Sequence, residues 1–190
     1  LSALRNPAAA VPVSRLMEDS DATLRLRAAL AVARMADERA TGPLVRASRA
    51  DERAIRRLAV WALGRIDTPA AQAHLVSLVR DASVSPELRA IALVGIGRNT
   101  SERVDETVFR DALLDRSPVV QDAAVWAAGM RGSTGLRDTA RTLLAHGADR
   151  APFAAAEALS LLGDEADRSV LIGAYVAGGR TLRAPVGRGL

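Results

Sequence analysis

One short pattern recurs along the chain at a nearly constant interval, and its clearest copy is Ile55-Arg56-Arg57-Leu58-Ala59-Val60-Trp61-Ala62-Leu63-Gly64-Arg65-Ile66-Asp67. Its first position returns at Leu24, Ile55, Leu88, Val120 and Ala151, giving intervals of 31, 33, 32 and 31 residues. Self-similarity at such a period is the mark of a stacked array, whose units bury their apolar faces only against their neighbours.

Each copy reads apolar-Arg-x-x-Ala-x-x-Ala-apolar-small-x-apolar, so positions one, five, eight and twelve share one face of a 3.6-residue helix, the expected buried face. Ahead of each copy lies a second helical stretch, such as Pro69 to Arg80, with apolar residues three and four apart. One repeat is therefore a two-helix hairpin. The spacing predicts pairs at Ala8 to Glu18 with Leu24 to Met35, Gly42 to Ala50 with Arg53 to Ile66, and Pro69 to Arg80 with Pro86 to Arg98. It continues with Glu102 to Leu114 and Pro118 to Met130, then Leu136 to His146 and Ala151 to Leu162, and a sixth first helix at Glu165 to Ala177. Another copy is due at Leu182-Arg183, where Pro185, Gly187 and Gly189 predict a frayed or loosely ordered end. Asp21 is placed to cap the helix that follows it. All eight prolines fall at expected turns or in first helical turns, where a missing N–H does least harm.

The period and wording of the pattern, carried best by Ile55 to Asp67 and by Asp21 to Asp37, resemble the HEAT-like repeats first noticed in phycobilisome lyases. The resemblance implies an all-α fold, a right-handed superhelical α-solenoid of about six HEAT-like hairpins. Residues 1–190 read as a single array. The chain starts at Leu1, mid-repeat and without Met, so a stretch excised from or continuing a longer chain is expected. In such repeats an acid and an Arg form a ladder tying turns of adjacent repeats together, and the resemblance gives that role to Asp21/Arg25, Asp51/Arg56 and, more loosely, Asp81/Arg89. The Arg is absent at Gln121 and Pro152.

Alanine supplies 39 of the 190 residues, which suits helices packed closely through small side chains. All 26 basic residues are Arg, and the formal net charge of +4 is modest. With no Cys, disulfides and thiolate chemistry are excluded. No apolar run has the length of a membrane span. The compartment stays open, with the cytoplasm as the default.

Function is sought in the position that points away from the buried face. Position seven reads Leu30, Trp61, Val94, Trp126 and Glu157: four apolar residues, both tryptophans included, in a row expected to face solvent. Position eleven beside it reads Arg34, Arg65, Arg98, Met130 and Leu161, a basic edge turning apolar. In HEAT-type stacking the second helices line the concave surface, so the resemblance places this row along an inner groove. Trp anchors with an Arg rim are the composition of a protein or peptide interface, and Arg favours an acidic partner. The competing readings bury the indoles as extra core or use the row for self-association.

Nucleic acid is the alternative class, since these repeats are also similar to the HEAT-like solenoids of DNA glycosylases. Asp122 and Trp126 lie one turn apart, and Arg57 and Arg65 flank Trp61. Interspersed acids and an apolar row where phosphates should run argue against it. Catalysis has less support. His74 and His146 sit on different hairpins, no nucleophile elbow occurs, and Gly129 to Gly135 follows a helix and lacks the Lys of a phosphate loop. No cofactor or metal site is implied. The expectation is a non-catalytic scaffold.

Overall fold

The computed structural model describes residues 9–100, 103–145 and 152–177, leaving out the side chains of Pro152, Phe153, Tyr175 and Ala177. Within them the chain is all-α, a solenoid of two-helix hairpins, and it divides into two compact units, 1–103 and 104–190. The first unit holds α1 (Ala10–Arg15), α2 (Ala22–Met35), α3 (Thr41–Ala47), α4 (Arg53–Leu63), α5 (Pro69–Arg80) and α6 (Pro86–Arg98). The second holds α7 (Thr107–Leu113), α8 (Pro118–Arg131), α9 (Leu136–Ala145), α10 (Pro152–Leu162) and α11 (Arg168–Ala177). Short 3-10 turns extend α1 at Leu16–Glu18 and precede α3 and α11.

Capping explains why the elements start where they do. Asp21 accepts from the amides of Thr23 at 2.7 Å and Leu24 at 3.4 Å, as expected of an N-cap acid. Thr68 and Ser85 cap α5 and α6 ahead of Pro69 and Pro86, and both helices span the residues predicted for them. α7 is shorter than its prediction, starting at Thr107 and not near Glu102. Asp105 is the reason: its carboxylate accepts from the Thr107 amide at 3.0 Å, turning the chain just before the helix. His146 and Ala151, and the expected copy at Leu182-Arg183, lie outside the described residues.

The second helix of each hairpin buries a wider face than the pattern predicts. Position five is buried throughout (Ala28, Ala59, Ala92, Ala124, Ala155), and so is position nine (Val32, Leu63, Ile96, Ala128, Leu159). Position six, which the pattern left out, is buried too at Ala29, Val60, Leu93, Val125 and Ala156. A helix inside an array has neighbours on more than one side, so its covered face exceeds that of a surface helix. Within the first unit α4 packs directly on both α2 and α6.

The ladder takes a different form from the expected acid–Arg pairing. Arg25 donates to the carbonyls of Asp19 at 2.8 Å and Ser20 at 2.9 Å, and Arg56 to those of Ala50 and Asp51, both at 2.7 Å. Arg89 reaches Val84 at 3.2 Å and Ala82 at 3.4 Å. Each guanidinium thus ties down the turn inside its own hairpin. Asp21 is spent on capping, and the carboxylate that meets Arg25 is Glu52 of the next hairpin. Gln121 does not lose the device, because its side-chain amide donates to the Asp115 carbonyl at 2.6 Å in the same place. A turn carbonyl needs a donor of the right reach; it does not need a charge.

Candidate partner-binding site

In α4 the residues Ala54, Leu58 and Trp61 follow one another at helical spacing, with Arg65 in the turn just beyond, beside the face buried through Ile55, Ala59 and Ala62. Trp61 is half-buried. Ile91 on α6 reaches the same place, so that Ala54, Arg57, Leu58, Trp61 and Ile91 line a predominantly apolar hollow of about 400 Å³. The Arg65 guanidinium carbon lies 4.7 Å from the centroid of the Trp61 ring, a cation–π contact made from the turn that ends α4. At the edge, Glu87 of α6 pairs with Arg53 and, at 3.1 Å, with Arg57 of α4. Hydrogen bonding from Arg53, which outweighs partial desolvation, and then the charges of Arg53 and Arg57 hold the Glu87 carboxyl below its ordinary range. The hollow is apolar at its floor, with Arg65 and an Arg–Glu cluster at its rim.

Leu30, 37% exposed on α2, and half-buried Val94 on α6 belong to the same unit as Trp61 but do not line its hollow. Arg34, Arg65 and Arg98 are exposed. The lining residues missed by the position-seven row are Ala54, Leu58 and Ile91, with Arg57 noticed only as a flanking cation. Position four held the signal, since it carries a large aliphatic side chain in just the two repeats that meet there, as Leu58 and Ile91, against Arg27, Ala123 and Ala154 elsewhere.

The second unit carries its own stretch of the row. Asp122, Trp126 and Met130 follow at intervals of four along α8, with Trp126 37% and Met130 58% exposed. Leu161, on α10, is 61% exposed. Partial desolvation raises the Asp122 carboxyl above its ordinary value.

With hairpins and faces placed, the class is defined: a helical repeat protein. The chain belongs to the HEAT-repeat family, whose model matches residues 9–102 and 106–187. Among solved structures it is similar to a designed armadillo repeat protein in complex with the peptide (KR)4, at 20% identity and a TM-score of 0.55, over 96% of this chain and 80% of that one. At that identity the likeness is one of fold. No curated protein matches the chain.

Among the described residues no group of three or more His, Asp and Glu side chains converges as a metal site, and no helix is long and apolar enough to cross a membrane. The geometry offers a non-covalent surface of indoles, aliphatic side chains and guanidinium groups.

Proposed function

We propose that this HEAT-repeat chain is a non-catalytic scaffold that binds a protein or peptide segment along the outward face of its second helices. The reading uses Leu30, Trp61, Val94, Arg34, Arg65 and Arg98 in the first unit and Trp126 and Met130 in the second. The observation that carries it is the half-buried Trp61 beside an apolar hollow with Arg65 stacked on its ring. A large ring left partly in water next to unfilled apolar space gains by burial against a partner. The Arg rim selects carboxylate-bearing segments over basic ones. The designed armadillo protein, by contrast, was solved with the basic peptide (KR)4.

The test is a selection from a displayed peptide library, run in parallel on the native chain and on a Trp61→Ala, Trp126→Ala double variant. Enrichment of peptides pairing acidic residues with an aliphatic or aromatic anchor, lost from the double variant, is the expected result. Equal enrichment by both proteins would remove the assignment. Sedimentation at several concentrations separates a peptide surface from a self-association surface, and a duplex-DNA titration at low salt tests the nucleic-acid alternative directly.

A further inference from the structure

A second hollow of the first unit, about 660 Å³, shares no lining residue with the one beside Trp61. The end of α3 contributes Ser48 and Arg49, α4 contributes Arg56, and α5 contributes His74. The turn into α6 closes it with Asp81 and Ser85, while Leu78, Val84 and Leu88 supply apolar surface. This volume falls in the range of small-molecule sites.

Donors are left over inside it. The exposed guanidinium of Arg49 has no hydrogen-bond or ion-pair partner among the described residues. Arg56 commits Nη1 to two turn carbonyls and keeps Nε and Nη2 in hand. The Ser48 hydroxyl donates to the Val45 carbonyl at 2.7 Å, so at its 2.8 Å contact with His74 it accepts from Nε2–H. That leaves His74 Nδ1 to take a proton or face a ligand. Asp81 Oδ1 accepts from the Ser83 amide at 2.8 Å and hydroxyl at 2.6 Å. Ser85 stands at the positive end of the 13-residue helix α6. Two guanidinium charges against one carboxylate leave the lining at a net +1 with His74 neutral.

We propose that this hollow binds a small organic phosphate monoester, its phosphoryl oxygens on Arg49 and Arg56 and its apolar body against Leu78, Val84 and Leu88. Two guanidinium groups on one lining present the donors that a phosphoryl group accepts, and a neighbouring apolar surface rewards an organic substituent over the bare ion. The positive potential is already felt at His74, whose imidazole is held below its ordinary pKa first by burial and then by Arg49. The other charges around it are Arg56 and Asp81, with Arg89 acting on Asp81 and Glu52 beside Arg56. A bound dianion offsets the Arg49 repulsion, so binding draws a proton onto His74.

The imidazole Cε1–H resonance of His74 therefore reports occupancy, read by NMR in a His146→Gln chain near neutral pH and low salt. Phenyl phosphate should move it saturably toward the imidazolium position, while benzyl alcohol at the same concentrations should not. Arg49→Gln, which removes an exposed side chain without a hydrogen-bond or ion-pair partner among the described residues, should weaken phenyl phosphate about tenfold or more. No saturable shift, the same shift from benzyl alcohol, or an unchanged midpoint in Arg49→Gln would overturn the site.

Discussion

Trp61 and Phe109 carry large rings into different surroundings. Phe109 is 1% exposed, enclosed in the second unit, whereas Trp61 is half-buried beside a hollow. Phe109→Ala should cost about 3–5 kcal/mol in urea unfolding, the ordinary range for an enclosed aromatic. Trp61→Ala should cost about 1–2 kcal/mol, since only part of its surface leaves water on folding. A Trp61 cost as large as that of Phe109 would make the indole core and leave the hollow without its anchor. Asp167 illustrates the opposite case, a charge enclosed by the fold and satisfied there. It is fully buried, pairs with the Arg141 guanidinium, and accepts from the Asp164 amide at 2.9 Å. Burial pushes its carboxyl up, but the Arg141 hydrogen bond, the Asp164 amide and the charges of Arg141 and Arg137 together bring it below its ordinary value. The unfolded chain thus takes up the proton at higher pH than the folded one, so this stabilisation is complete above about pH 3.9 and drains away as pH falls through the folded value. Urea midpoints at neutral pH and near pH 3 should show a smaller acid loss for Asp167→Asn than for the native chain; equal losses would refute the assignment.

At the scale of elements, the crossing of α4 and α6 is set by two glycines. A Cβ at Gly64 would stand 2.6 Å from the Gly95 Cα, and one at Gly95 2.7 Å from the Gly64 Cα, so the helices touch backbone to backbone. Gly64→Ala must push them apart and should destabilise by about 1–3 kcal/mol. Gly129 occupies the same pattern position in α8 but meets nothing within 4 Å. Gly129→Ala should therefore stabilise, by about 0.5–1 kcal/mol, through helix propensity alone. Thermal unfolding of the pair checks the contrast, and matching signs would contradict it. That crossing was not legible in the sequence, because Gly64 and Gly129 satisfy the same "small" position and only the packing partner separates them. Helices led by Pro69, Pro86 and Pro118 were legible to the residue at their starts, since a proline at the first helical position leaves little freedom. The start of α7 was not, because Asp105 makes its turn through a side-chain contact that periodicity does not register. The ladder was legible in place but not in chemistry: Arg25, Arg56, Arg89 and Gln121 share a column, yet their shared target is a set of turn carbonyls.

For the whole molecule, the repeat period fixed the class, as the family match over residues 9–102 and 106–187 shows. Columns of the aligned repeats also gave the candidate surface a first outline, singling out Trp61 and Trp126 in a row expected to face solvent. They could not define the hollow, which joins Leu58 on one helix to Ile91 on another and depends on how closely α4 and α6 approach. A net charge of +4, carried by Arg alone, sets the sign of the partner only locally, through Arg65 and the Arg53–Arg57–Glu87 rim. Because the chain has two tryptophans, Trp126→Phe leaves Trp61 as the sole indole reporter. Its emission should be followed while a library-selected acidic peptide is titrated in, with calorimetry on the same samples. A saturating blue shift whose midpoint matches the heat, with binding at least about tenfold weaker in Trp61→Ala, is the predicted result. Calorimetric binding that leaves the Trp61 emission unchanged would contradict it.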